Sequence, residues 1–355
     1  MTMHAGAAMR RIALSALAAA LAIAATATLA ASSAADPAPW TRGPGYLTWS
    51  IGDESAPTPG PVTGGFLLSG GGEWNLDAFR WFTARAGHGH LVILRASEHA
   101  EEQEEFYNHI GGLASVRTFR IDGKAAAWDP RLIAAVKAAD AVFLGGGDQS
   151  RYVKRWRGTP LNAALDAHVA AGKPFGGTSA GLAVQGSWLY GCMDSHSITT
   201  DEALADPYGP VASVETSFLH SKLLSRVFTD SHFDARARLG RLIAFLAKAS
   251  TLGAPPDLAG LGVDEAADLT VEPDGTATFH ADRPGKYAWL VQPDLATLEP
   301  GRGPLSLHRV KVRAIGAGSR FNIGTLELAQ PALTRTYDVD RGHLLLRDET
   351  HGEDH

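Results

Sequence analysis

The sequence predicts an α/β fold: a mainly parallel sheet with helices on both faces, followed by a β-rich C-terminal appendage. Three observations carry this. From about residue 63 to 284, short apolar runs alternate with segments of helical spacing. The runs are apolar at consecutive positions, as strands buried on both faces are. Beyond about residue 285 helical spacing stops, and short strand-like runs are separated by Gly and Pro.

In chain order, residues 1–35 stand apart. Arg10 and Arg11 precede an apolar run from Ile12 to about Ala31, and small residues such as Ser33, Ala34 and Ala35 follow. A basic start, an apolar middle and a small-residue end are expected of a secretory signal peptide, so the mature protein should be secreted or periplasmic. An uncleaved anchor is the alternative, but the run is rich in Ala and ends in small residues. Residues 36–62, rich in Pro, Gly and Ser, read as a leader.

Gly65 to Ser69 then reads as a strand ending in Gly70-Gly71-Gly72. Asn75 to Ala86 has helical spacing, and His90 to Leu94 is a buried-type strand. Glu101 to Ile110 begins acidic, like a helix, and Val116 to Ile121 alternates like a strand. Pro130 sits in the first turn of a helix to Ala139. Ala141 to Leu144 is a strand, a helix follows from about Ser150, and Lys173 to Gly177 approaches another strand. Residues 186–225 read as loop. Arg226 to Thr229 resumes a strand, Asp234 to Ala249 a helix, and Leu261 to Glu265, Leu269 to Val271 and Thr278 to His280 short strands. The resulting division is 1–35 signal peptide, 36–62 leader, 63–284 catalytic domain and 285–355 extension.

With 355 residues, 45% hydrophobic and 20% charged, the chain can carry its own core, which excludes a disordered tail or a disulfide-stapled miniprotein. Cys192 is the single cysteine and cannot form an internal disulfide. The formal charge is −6, so no affinity for nucleic acid is expected, nor stable membrane association once the signal peptide is removed. No H-E-x-x-H and no Cys ligand pair occurs, so neither a metal nor another cofactor is expected.

Gly177-Thr178-Ser179-Ala180-Gly181 matches G-x-S-x-G at a strand-to-helix turn, the pattern that pushes a nucleophilic hydroxyl outward. The same letters also occur in glycine-rich βα turns without chemistry. Gly145-Gly146-Gly147-Asp148-Gln149 follows the preceding strand, where amides of Gly146 or Gly147, with that of Ala180, can form an oxyanion hole. His232 stands at another strand exit, where a general base is needed. Arg238 and Arg241 share a helix face, suited either to a substrate carboxylate or to solvent.

Together, Phe143 to Gln149, Gly176 to Gly181, Asp230-Ser231-His232-Phe233 with Arg236, Arg238 and Arg241, and Gly262-Val263-Asp264-Glu265 resemble the cyanophycinases. These belong with dipeptidase E among serine peptidases built on the class I glutamine amidotransferase-like fold. The resemblance spans roughly residues 62–280. It implies Ser179 as nucleophile, His232 as base, and Gln149, Asp230, Arg236, Arg238 and Arg241 around the substrate. It implies a peptide or cyanophycin-like polymer as substrate, cut into β-Asp-Arg dipeptides, and is compatible with a homodimer. For the triad acid, Asp194 is favoured over Glu265, because dipeptidase E carries its acid about as far beyond its serine. Ser231 stands where the family usually has Gln. An α/β-hydrolase-type esterase and a non-catalytic exported binding protein are the competing readings.

Overall fold

The computed structural model describes residues 40–96, 102–194 and 196–351; the expected signal peptide lies outside them. The leader expected over 36–62 contains two strands, β1 (Thr41–Gly43) and β2 (Tyr46–Gly52). Tyr46 and Thr48 of β2 face the core while Leu47 and Trp49 are only partly covered, an alternation that suits a strand near the edge of a sheet.

β3 (Phe66–Ser69), α1 (Leu76–Arg85), β4 (His90–Arg95), α2 (Glu102–Glu104), β5 (Ser115–Ile121), α3 (Pro130–Ala138), β6 (Ala141–Leu144), α4 (Gln149–Trp156), α5 (Pro160–Ala170) and β7 (Phe175–Thr178) follow. Four of these helices start on a side chain that accepts an otherwise orphaned backbone N–H. Asn75 caps α1, Asp129 caps α3, Asp148 caps α4 and Thr159 caps α5. β5, β4, β6, β7 and β3 lie side by side in parallel. Every residue of β3, β6 and β7 is buried, which is why their sequences show apolar or small runs and no alternation.

The chain continues through α6 (Ala180–Ala183), β8 (Trp188–Tyr190), α7 (Thr200–Ala205), β9 (Val214–Thr216), β10 (Val227–Asp230), α8 (Leu239–Thr251), β11 (Ala259–Val263), β12 (Ala267–Val271) and β13 (Thr276–Ala281). The stretch expected as loop over 186–225 therefore holds β8, α7 and β9, each too short to show a period. The helix expected from Asp234 begins at Leu239. Ahead of it Ala237 has φ 47° and Arg238 reaches back to Ser231 O at 2.6 Å, so this segment is a turn.

β14 (Ala288–Gln292), β15 (Leu307–Ile315), β16 (Arg320–Asn322), β17 (Glu327–Ala329), β18 (Leu333–Asp340) and β19 (His343–His351) complete the described chain. This is the β-rich C-terminal region the sequence predicts, but its strands do not form a sheet of their own. β14 pairs with β11 and carries β15, β18 and β19 outward, whereas β16 and β17 continue from β13. The result is one sheet of 11 strands and one of eight. The main chain crosses between them at residues 264–266, from β11 to β12.

Candidate active site

Ser179 is the single residue between β7 and α6, with φ 54° and ψ −115°. A non-glycine residue in that region is strained, and the surrounding structure must hold it there. Its N–H donates to Ser69 O at 3.1 Å, and its carbonyl accepts from Leu182 and Ala183. The flanking glycines are required by contact. A Cβ on Gly181 would lie 2.0 Å from Leu144 O, and one on Gly177 would lie 2.6 Å from the carbonyl carbon of Gly181. The turn can be this tight only without those side chains.

Ser179 Oγ lies 2.6 Å from Nε2 of His232, which follows β10. His232 Nδ1 lies 2.5 Å from Oε1 of Glu265, which follows β11. A carboxylate at Nδ1 holds the proton on that nitrogen, which leaves the Nε2 lone pair facing the serine hydroxyl. Burial pushes the His232 imidazole below the ordinary histidine range, and the hydrogen bond to Glu265 opposes that shift. The ring is also held from behind. His232 N donates to Gly70 O at 2.8 Å, and a Cβ on Gly71 would lie 2.4 Å from His232 Cε1. The glycine run after β3 thus supports the imidazole; three glycines at a strand exit were the only sequence signal for it.

Asp194, favoured over Glu265 from its spacing to Ser179, is not at the imidazole. It is exposed, and its carboxylate accepts from the His196 N–H at 3.3 Å. Glu265 occupies the place because the parallel pairing of β10 with β11 delivers it beside His232.

Gly146 lies against the serine: a Cβ there would be 3.5 Å from Ser179 Cβ. Gly147, with φ 124°, and Ala180 line a cavity of about 160 Å³ with Ser179 and His232. Gln149, Cys192, Ser231, Arg236 and Arg238 complete most of its wall. Burial raises the Cys192 thiol above its ordinary range, so it is held neutral.

The polar residues after β10 divide into two groups. Asp230 is buried and takes Arg241 Nε at 2.8 Å, Arg241 Nη2 at 2.5 Å and Arg238 Nη1 at 3.2 Å. Burial works to raise its carboxyl, but Arg241 and Arg238 outweigh that and hold it below the usual carboxylate range. Arg241 also lies over the Tyr190 ring. Asp230 and Arg241, expected at the substrate, therefore lie behind the cavity wall and brace it. Burial lowers the Arg238 guanidinium to about 10, which leaves it charged at neutral pH beside the cavity. Arg236 is exposed at the cavity and its side chain makes no ion pair among the described residues.

Among the described residues no cluster of His, Cys, Asp or Glu is arranged to hold a metal, and no helix is long and apolar enough to cross a membrane.

Residues 67–205 match the model of peptidase family S51. The chain is 29% identical to the cyanophycinases of Synechococcus elongatus and Thermosynechococcus vestitus over 246 residues, covering 66% of this chain and 69% of each relative. It is 31% identical to the cyanophycinase of Trichormus variabilis over 195 residues, covering 54% and 59%. A solved peptidase from an acI-B1 Actinobacterium aligns with a TM-score of 0.48 and 17% identity, covering 74% of this chain and 97% of that one. The chain is thus similar to the cyanophycinases, and its residues 67–205 match peptidase family S51.

Proposed function

We propose that the protein is an exported serine peptidase that cuts the aspartate main chain of the polymer cyanophycin, releasing β-Asp-Arg dipeptides whose β-aspartyl link to arginine stays intact. The observation that carries the reading is the continuous hydrogen-bonded chain from Ser179 through His232 to Glu265. In the first half-reaction His232 Nε2 takes the hydroxyl proton as Ser179 Oγ attacks the scissile carbonyl carbon. Glu265 holds the imidazole in the needed tautomer and stabilises the imidazolium. Amides of Gly146 or Gly147 and of Ala180 receive the oxyanion, each contributing about 3 kcal/mol. The imidazolium returns its proton to the departing amine, leaving an acyl-serine. In the second half-reaction His232 activates water, which releases the acyl group and restores the hydroxyl.

Arg236 and Arg238 outnumber Asp148 on the cavity wall, which suits a substrate bearing carboxylates, such as the one each arginine of cyanophycin carries. Export rests on the basic start and apolar run of residues 1–35. Incubating the mature protein with cyanophycin should release β-Asp-Arg, read by mass spectrometry, and Ser179→Ala should abolish release while the protein stays folded. Undiminished release by that variant would refute the mechanism.

A further inference from the structure

Glu265 sits in the short link between the two sheets, a place with no regular ladder of its own. Much of what holds that link comes from the start of the C-terminal extension. Asp264 N donates to Tyr287 O at 3.1 Å, and Tyr287 N donates to Asp264 Oδ2 at 2.9 Å. The indole Nε1 of Trp289 donates to Asp264 Oδ1 at 2.9 Å. On the other side, Glu265 N donates at 3.0 Å to Asp234, and Lys286 pairs with the same carboxylate.

These contacts converge on one residue. Asp264 has both oxygens occupied by N–H donors from the extension, so its backbone is fixed on β14. Asp234 bridges the Glu265 amide to Lys286. The Glu265 side chain, by contrast, is only partly buried, and among the described residues its hydrogen-bond partner is His232 Nδ1. Its carboxylate reaches Nδ1 from where the link places its Cα, and contacts from residues 286–289, together with Ala266 N to Gly71 O at 2.8 Å, hold the link.

We propose that Lys286 and Trp289 are positioning residues for the triad acid, so that the C-terminal extension is a working part of the active site. They act through Asp234 and Asp264 and touch no reacting atom. The inference rests on Glu265 being the acid, and the test separates the two claims.

Trp289→Phe keeps an aromatic ring while removing the donor, and Lys286→Met keeps the stem while removing the charge. Each is measured alone and together, on cyanophycin, in the native background and with Glu265→Gln. In the native background the pair should lower kcat about 10-fold or more with KM within about twofold; with Glu265→Gln the same pair should change kcat by less than about twofold. The far-downfield proton resonance between His232 Nδ1 and Glu265, which needs no substrate, should move upfield in the pair and in Trp289→Phe alone. An equal loss in both backgrounds would mean general damage and would overturn the proposal. So would native kcat and an unmoved resonance in the paired variant. Glu265→Gln with unchanged kcat would instead overturn the assignment of the acid.

Discussion

Glu265 and Asp194 make the sharpest contrast between single residues. Both are carboxylates in loops, yet only Glu265 meets the imidazole. Glu265→Gln should lower kcat by about 10² to 10⁴-fold, as expected when the base loses its orienting charge, whereas Asp194→Asn should stay within about twofold. The pH profile gives a second reading. The base must be neutral, so kcat/KM rises with pH through the His232 pKa, which burial holds below the ordinary 6.5. Glu265 pulls that pKa upward, so Glu265→Gln should shift the acid limb to still lower pH as the rate falls. An acid limb that moves upward would contradict the arrangement. Ser179 and His232 were legible in the sequence because each stands at a strand exit with a recognisable local pattern. The carboxylate that meets the imidazole was not, because its identity depends on which strand lies beside β10, a pairing between segments about 30 residues apart that no local pattern records.

Elements show the same division between local and distant causes. The β7–α6 turn was legible because its glycines answer to crowding within a few residues and against the adjacent strand. Gly181→Ala should test this: its methyl would meet Leu144 O, a backbone atom that cannot swing away. The expected cost is about 1–3 kcal/mol in urea unfolding, with a further loss of kcat from a displaced serine. A variant with native stability and rate would mean that α6 can shift without consequence. The start of α8 was misjudged because the turn before it is held by the Asp230–Arg238–Arg241 network. A helical period cannot report a charge network that pins the backbone out of the helix. β8, α7 and β9 were missed for a simpler reason: three to six residues give too few repeats to define a period.

Across the whole molecule, stability should carry the mark of a buried imidazole. His168 in α5 is pushed down to about 4, chiefly by burial, while the unfolded chain keeps the ordinary value of 6.5. The folded form thus resists a proton that the unfolded form accepts. Its contribution is complete above 6.5 and is lost as pH falls toward about 4. The loss is on the order of 3 kcal/mol. Stability measured against pH for the native protein and for His168→Gln should therefore converge as the solution is acidified across that window. Parallel curves would show that the imidazole titrates alike in both states. The architecture at this scale was legible in kind: strands alternating with helices, then strands alone. What escaped was that β14 and β16 are next neighbours of β11 and β13, since edge-to-edge pairing joins segments through backbone groups that every residue possesses.

That continuity bears on where the chain could be cut. A fragment ending near residue 284 would uncover one flank of β11 and one of β13, each a row of unsatisfied amides and carbonyls. Such bare flanks recruit other chains. Trimming the protein to its recognisable half would yield material prone to stick to itself, and the smallest soluble version has to retain both borders.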